Sequence, residues 1–194
     1  MIKHRQFFKD QATFHNILNL TDNHLINRIH VNHRLAYLRD TAIGRFIDDQ
    51  TVKHINILVH YTNTDIILHF LTNKNYFKII VERIRQADLD VKSEALNFIL
   101  ELIANSKELL QTRILFYETI CDFDILDALE KTLVDVTHYS KYEEYLRILR
   151  EDGKSDNDFT KEENEKREKI KINSIEILIN ILTVVPGNQN LIIY

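Results

Sequence analysis

Apolar residues recur every three or four positions along most of this chain, the period of helices that bury one face. The clearest pattern follows Asp88 and Asp90, either of which can cap a helix with Val91, Ala95, Leu96, Phe98, Ile99, Leu102 and Ile103 turned inward. Upstream, Thr21-Asp22 caps a helix whose inward positions are Leu25, Ile26 and Ile29. Further helices are predicted over about 51–62, 65–72, 76–86, 107–121 and 123–136, separated by Asn-, Thr- and Lys-bearing connectors. Residues 1–20 carry Phe7-Phe8 and then Phe14, Ile17, Leu18 and Leu20 with no clean period, which reads as a short helix and an irregular segment.

The stretch from His33 to Asp49 predicts a helix with two distinct stripes. Leu35, Leu38, Ala42 and Phe46, widened by Ile43 and Ile47, form the expected core side. Arg34, Tyr37, Thr41, Arg45 and Asp48 fall three or four residues apart on the adjacent polar ridge. With Arg39, Asp40 and Asp49, this ridge supplies the candidate partner-binding residues: Arg34, Tyr37, Arg39, Asp40, Arg45, Asp48 and Asp49. The Asp48-Asp49 pair also offers a side-chain oxygen to cap the next helix near Gln50.

Internal repetition shapes the expected fold. Leu96, Phe98, Ile99, Leu102 and Ile103 align with Ile175, Ile177, Leu178, Ile181 and Leu182 at a shift of 79. Part of the same pattern matches Ile55, Ile57, Leu58 and Tyr61 at a shift of 41. A period of about 40 residues is that of armadillo and HEAT units, so the chain is read as all-α, a solenoid of short helical repeats forming one domain over residues 1–194. Between Lys141 and Lys169 eight basic and ten acidic residues surround Gly153, Ser155, Asp156, Asn157 and Asp158, leaving little apolar surface to offset the entropy of ordering. That composition predicts a charged flexible insertion at about 151–164, with Tyr142, Tyr145, Leu146 and Leu149 extending the helix before it and Glu162–Lys169 opening the one after.

Composition narrows the functional classes. Three Gly and one Pro in 194 residues are too few for a fold rich in tight turns. The net charge of -4 does not suggest a nucleic-acid binder. It is uneven, with seven Lys or Arg against three Asp or Glu in residues 1–45, which makes that region basic and the remainder acidic. Such asymmetry fits a solvated helix face or a docking surface for an acidic partner. One cysteine, Cys121, excludes an intrachain disulfide, points to a reducing intracellular compartment and sits among Ile120, Phe123 and Ile125 as a packing residue. No stretch approaches the roughly 18 apolar residues of a membrane span, so no membrane partner is expected.

Catalytic readings find little to rest on. Nine histidines include His30, His33, His54, His60 and His69, but none joins Cys or acidic residues at a metal-site spacing. Gly44, Gly153 and Gly187 stand alone, so no phosphate loop is present, and no nucleophile motif appears. Neither catalytic residues nor a cofactor or metal are therefore expected.

The order of certain short motifs is more informative. Phe14–Leu20, Thr21, Leu25, Ile29-His30, Arg34 and Tyr37 precede Tyr37-Leu38-Arg39-Asp40 and Arg45-Phe46-Ile47-Asp48-Asp49. Asn63–Leu71, Leu96-Asn97-Phe98, Ser106, Phe116-Tyr117 and Ile125-Leu126-Asp127-Ala128-Leu129-Glu130 follow. In this order they resemble the central domain of regulatory subunit 3 of protein phosphatase 4, the SMEK family, over roughly residues 5–194. The resemblance implies an armadillo-like fold and a noncatalytic regulatory or scaffold subunit in nucleus and cytoplasm. Its implied partners are the phosphatase 4 catalytic subunit, regulatory subunit 2 and phosphoprotein substrates. Family members carry an EVH1-type domain before this region, with no counterpart ahead of Met1, and a shorter connection where the charged insertion lies. Family domains also continue past the final helix, so Leu191, Ile192 and Ile193 are expected to be partly exposed and to favour self-association. Two other classes fit the residues: a nucleic-acid-binding helical repeat, supported by the basic, His-rich first 45 residues, and a generic armadillo-type interaction scaffold.

Overall fold

The computed structural model describes residues 16–42, 48–107, 109–149 and 158–184. Among them the chain is all-helical: α1 (Asn23–Ala42), α2 (Asp49–Thr72), α3 (Asn75–Ile84), α4 (Leu89–Ser106), α5 (Leu110–Cys121), α6 (Ile125–Leu149) and α7 (Asp158–Val184). Two compact units divide it, Met1–Asn73 and Lys74–Tyr194. Phe7, Phe8 and Phe14, with the short helix expected there, lie outside the described residues, as do Leu191, Ile192 and Ile193.

Acidic caps start the helices where the sequence placed them. Asp22 accepts the amides of His24 at 2.8 Å and Leu25 at 3.3 Å, and Asp88 accepts those of Asp90 at 2.8 Å and Val91 at 3.1 Å. With so few glycines, Asn19 and Asp124 take the left-handed backbone at φ 51° and 58°, which short polar side chains tolerate better than branched ones. Asp124 thereby turns the chain from α5 into α6.

In the first unit α1 and α2 pack as an antiparallel pair. Asp22 meets His69 at 3.5 Å, Arg28 meets Asp65 at 3.4 Å, and Asn32 Nδ2 donates to Thr62 Oγ1 at 2.8 Å and Asn63 Oδ1 at 2.6 Å. These contacts run up α1 as they run down α2. Helix α2 is continuous, where the sequence predicted a break near residues 62–65. Thr62 and Thr64 there donate their hydroxyls to the carbonyls of Leu58 and His60, so the polar side chains are satisfied along the helix and do not interrupt it.

The second unit is built around α4, which packs on α3, α5 and α7. Its inner positions Ala95, Leu96, Ile99, Leu102 and Ile103 are all buried, as expected, while Val91 and Phe98 are half-buried. Phe77 of α3 joins the neighbouring elements through ring contacts, edge-on to Phe116 at 5.8 Å and stacked on Phe123 at 6.0 Å. Phe116 in turn meets Tyr117 edge-on at 5.5 Å. Cys121 is half-buried, and burial, reinforced by Asp122, pushes its thiol pKa up, which agrees with packing and opposes thiolate reactivity at neutral pH.

Helices α4 and α7 run parallel in a fixed register. Lys166 bonds to Asp90 at 2.9 Å, and Asn173 Nδ2 donates to Asn97 Oδ1 at 2.8 Å, each pair 76 residues apart. This register is three residues short of the shift of 79 read from the hydrophobic pattern. Under the longer shift buried Leu96 and Ile103 match the exposed Ile175 and Leu182. The match to α2 fails in the same way, since Ile55 is buried but Ile57, Leu58 and Tyr61 are exposed. Apolar spacing reported which positions share a helix face and not which face is covered.

Helix α7 begins at Asp158, so residues 158–164 of the expected flexible insertion are helical, while 150–157 lie outside the described residues. Glu162–Lys166 at 3.2 Å and Glu163–Arg167 at 2.6 Å are i,i+4 pairs that favour helix in this charged stretch, and the Lys166–Asp90 contact ties it to α4. Among the described residues no helix is long and apolar enough to cross a membrane.

Two outcomes test this packing. Phe77→Ala removes the ring shared by α3, α5 and the α5–α6 turn and should lower unfolding free energy by about 3–5 kcal/mol in denaturant titration. Lys92 is buried beside Asp135 and Arg167, and burial lowers its pKa despite the pull of Asp135. The unfolded chain therefore holds that proton more tightly, so the Lys92 contribution to stability rises with pH through its folded pKa. Lys92→Met should abolish this rise, read as a wild-type minus variant difference in stability against pH.

Candidate partner-binding surface

Helix α1 carries the first half of the candidate ridge. Arg34 is exposed, Tyr37 is half-buried, and Thr41 one turn on donates its hydroxyl to the Tyr37 carbonyl at 2.7 Å. At i, i+3 and i+7 these three share one side of the helix. Arg39 does not join them, since two residues past Tyr37 is about 160° around the helix. It is half-buried, and its Nε donates to exposed Asp40 at 2.8 Å.

The expected core side of this stretch is corrected. Leu38 is 43% exposed and Leu35 only half-buried. The inward direction of α1 is set by Leu25 and by Asn32, whose amide reaches α2. Leu38 falls about 140° from Leu25 at 3.6 residues per turn, on the outer side. Ile43, Arg45, Phe46 and Ile47 lie outside the described residues, as does the Ala42 side chain, and α1 ends at Ala42. The continuation of the ridge through Arg45, between Thr41 and Asp48, thus lies outside the described residues.

Asp48 instead acts locally as the cap of α2. Its carboxylate accepts the Thr51 hydroxyl at 2.7 Å and the Thr51 amide at 2.9 Å, and these bonds hold its pKa below the usual carboxylate range. Asp49 follows as the exposed first residue of α2. Asp22 is similar: the amides of His24 and Leu25, then His69, lower its pKa. Arg34, Tyr37, Arg39, Asp40, Asp48 and Asp49 are thus spread over a helix face, an adjacent ion pair and a cap.

A second surface escaped the sequence reading. Ile57, Tyr61 and Leu68 project from the side of α2 opposite Val59, Ile66 and Phe70, with Leu58 beside them, and they are 42 to 63% exposed. Spaced i, i+4 and i+11, they make an apolar line on the outside of a helix whose other side is already buried. The signal was visible as apolar residues on both faces of one helix, but a repeat pattern had absorbed them as core. Contiguous apolar surface of this kind marks an interaction site more often than isolated exposed residues do. The ring of Tyr61 meets that of His60 edge-on at 6.4 Å. Tyrosine contributes a large, stiff apolar area with a polar tip, a combination enriched at protein interfaces.

Among the described residues no group of three or more His, Cys, Asp or Glu side chains is placed to hold a metal ion. What the two faces offer is an exposed guanidinium and a phenol on α1, and an apolar stripe on α2.

Comparison with known proteins gives these surfaces a context. No solved structure matches the chain. It is 25% identical over 137 residues to Suppressor of Mek1 of Dictyostelium discoideum, a match covering 69% of this chain and 13% of that protein. It is also 25% identical over 138 residues to serine/threonine-protein phosphatase 4 regulatory subunit 3 of Drosophila melanogaster, covering 68% of this chain and 14% of the relative. These matches span about one seventh of the length of the relatives. The sequence profile of phosphatase 4 regulatory subunit 3 matches residues 1–190, nearly the whole chain, and the protein therefore belongs to the phosphatase 4 regulatory subunit 3 family.

Proposed function

We propose that this chain acts as a noncatalytic regulatory subunit of a protein phosphatase 4 complex, docking the catalytic assembly and steering it to phosphoprotein substrates. The family match over residues 1–190 carries this reading. Helical pairs stacked as a solenoid would give it an extended surface suited to protein partners, in nucleus and cytoplasm. The partners in this reading are the catalytic subunit and regulatory subunit 2, and the chain supplies recognition while the catalytic subunit supplies the chemistry.

Within the first unit, the α2 stripe of Ile57, Tyr61 and Leu68 is the stronger docking candidate. Its support is exposed apolar area, which contributes to binding only when a partner covers it. Arg34 and Tyr37 on α1 form the second candidate, since an exposed guanidinium can pair with a partner carboxylate in a bidentate fashion.

Reconstitution with purified phosphatase 4 catalytic subunit and regulatory subunit 2 tests both. Wild-type chain should be retained on the immobilised catalytic assembly. Ile57→Asp combined with Tyr61→Ala should weaken retention by at least about tenfold if Tyr61 is an anchor of the kind that dominates interfaces. Helical circular dichroism and melting temperature should stay nearly unchanged. Arg34→Glu reports on the α1 face separately. Failure of the wild type to bind either subunit contradicts the functional assignment, whereas normal binding by the α2 variant moves the docking surface elsewhere.

A further inference from the structure

From Ile170 onward, helix α7 is apolar on two opposite sides. Ile170, Ile177, Ile181 and Val184 are buried within the second unit, while Ile172, Ile175, Ile179 and Leu182 on the opposite side are 41 to 62% exposed. An exposed apolar line on a helix whose opposite face is already buried marks a surface suited to a partner. The register with α4 sharpens this point. Advanced by the same 76 residues that separate Asp90 from Lys166 and Asn97 from Asn173, the positions Leu96, Ile99, Ile103 and Ser106 become Ile172, Ile175, Ile179 and Leu182. All four positions on α4 are buried, beneath a unit in which α3 and α5 pack on α4. Among the described residues the same face of α7 is exposed.

The spacing of the exposed residues is 3, 4, 3, the alternation of core positions in a coiled coil. With Ile172 and Ile179 at a positions and Ile175 and Leu182 at d positions, Lys171 falls at g and Glu176 at the following e. In a parallel pair of identical helices those are the positions that face each other across the seam, so Lys171 of each copy meets Glu176 of the other. Lys171 already contacts Glu168 of its own helix at 3.3 Å and would bridge it to the second copy. An antiparallel pair layering Ile172 on Leu182 would bring the two Glu176 side chains together, which is unfavourable. Ile177, turned directly away from the seam, is buried in its own unit and leaves room for one partner helix.

We propose that the outer face of α7 is the seam of a parallel, two-fold homodimer of this chain, with Ile172, Ile175, Ile179 and Leu182 in its core and Lys171–Glu176 pairs at its edges. Two heptads of contact fall short of the roughly 800 Å² per partner of a standard stable interface, so the dimer is weak, with a dissociation constant on the order of 10 µM.

Sedimentation equilibrium on the full chain from about 1 to 100 µM tests the proposal, since this range brackets that constant. Wild type should shift from monomer toward dimer across the range. Ile175→Glu with Ile179→Glu should remain monomeric with unchanged helical circular dichroism, because both positions are already exposed. Lys171→Glu should weaken association, and Lys171→Glu combined with Glu176→Lys should restore it. In a Cys121→Ser background, Ile175→Cys should form a symmetric disulfide dimer on mild oxidation, as expected of a parallel d position. A wild-type chain that stays monomeric throughout, a dimer that survives the Ile175→Glu/Ile179→Glu change, or a charge swap that fails to restore association would each overturn the proposal.

Discussion

The parallel register between α4 and α7 is the constraint on which the second unit turns. Two polar contacts at one constant offset, Asp90 with Lys166 and Asn97 with Asn173, fix the axial position of one helix against the other. The ion pair lies at the surface, where such pairs contribute little on their own, so its value is in alignment. The Asn97–Asn173 bond reaches further in, because Asn173 is buried and its amide would lose a solvent partner without replacement if the register slipped. Apolar contacts tolerate sliding, whereas a directional bond of this kind does not. Once the register holds, Ile170, Ile177 and Ile181 are committed to the unit and Ile172, Ile175, Ile179 and Leu182 are left outside.

The first unit solves the same problem with different residues. Asn32 binds both Thr62 and Asn63, and the Arg28–Asp65 and Asp22–His69 contacts follow in order toward the N-terminal end of α1. Apart from the cap Asp22, these polar side chains sit inside helices, and at Thr62 to Asp65 they resemble a connector in the sequence. Thr62 and Thr64 looked like a connector because threonine favours turns, yet each returns its hydroxyl to a carbonyl of the preceding turn. Acidic caps at Asp22, Asp48 and Asp88 were legible because a helix start demands an acceptor for its free amides wherever it occurs.

Burial was harder to read than helicity. Leu38 shares a helical stripe with Leu35, but the direction of the core is set by what α2 offers to Leu25 and Asn32, and a single helix pattern contains no such information. The same ambiguity hid the exposed lines on α2 and α7, whose apolar residues are indistinguishable from core in isolation. Of the candidate site, the cap role of Asp48 was legible and the exposed position of Arg34 is consistent with a surface role, while Arg39 turned out to bond its own neighbour. Family membership was legible from ordered short motifs spread over the chain, because spacing between motifs survives where burial phase does not.

With its register fixed, α7 carries two apolar faces, of which one builds the unit and the other is exposed. This division of faces depends on the polar contacts setting the register. A double-mutant cycle at Asn97 and Asn173, with each residue changed to alanine alone and together, measures it in unfolding free energy. Control of the register by this bond predicts a coupling of about 1 kcal/mol between the two sites. Single effects that simply add would contradict it.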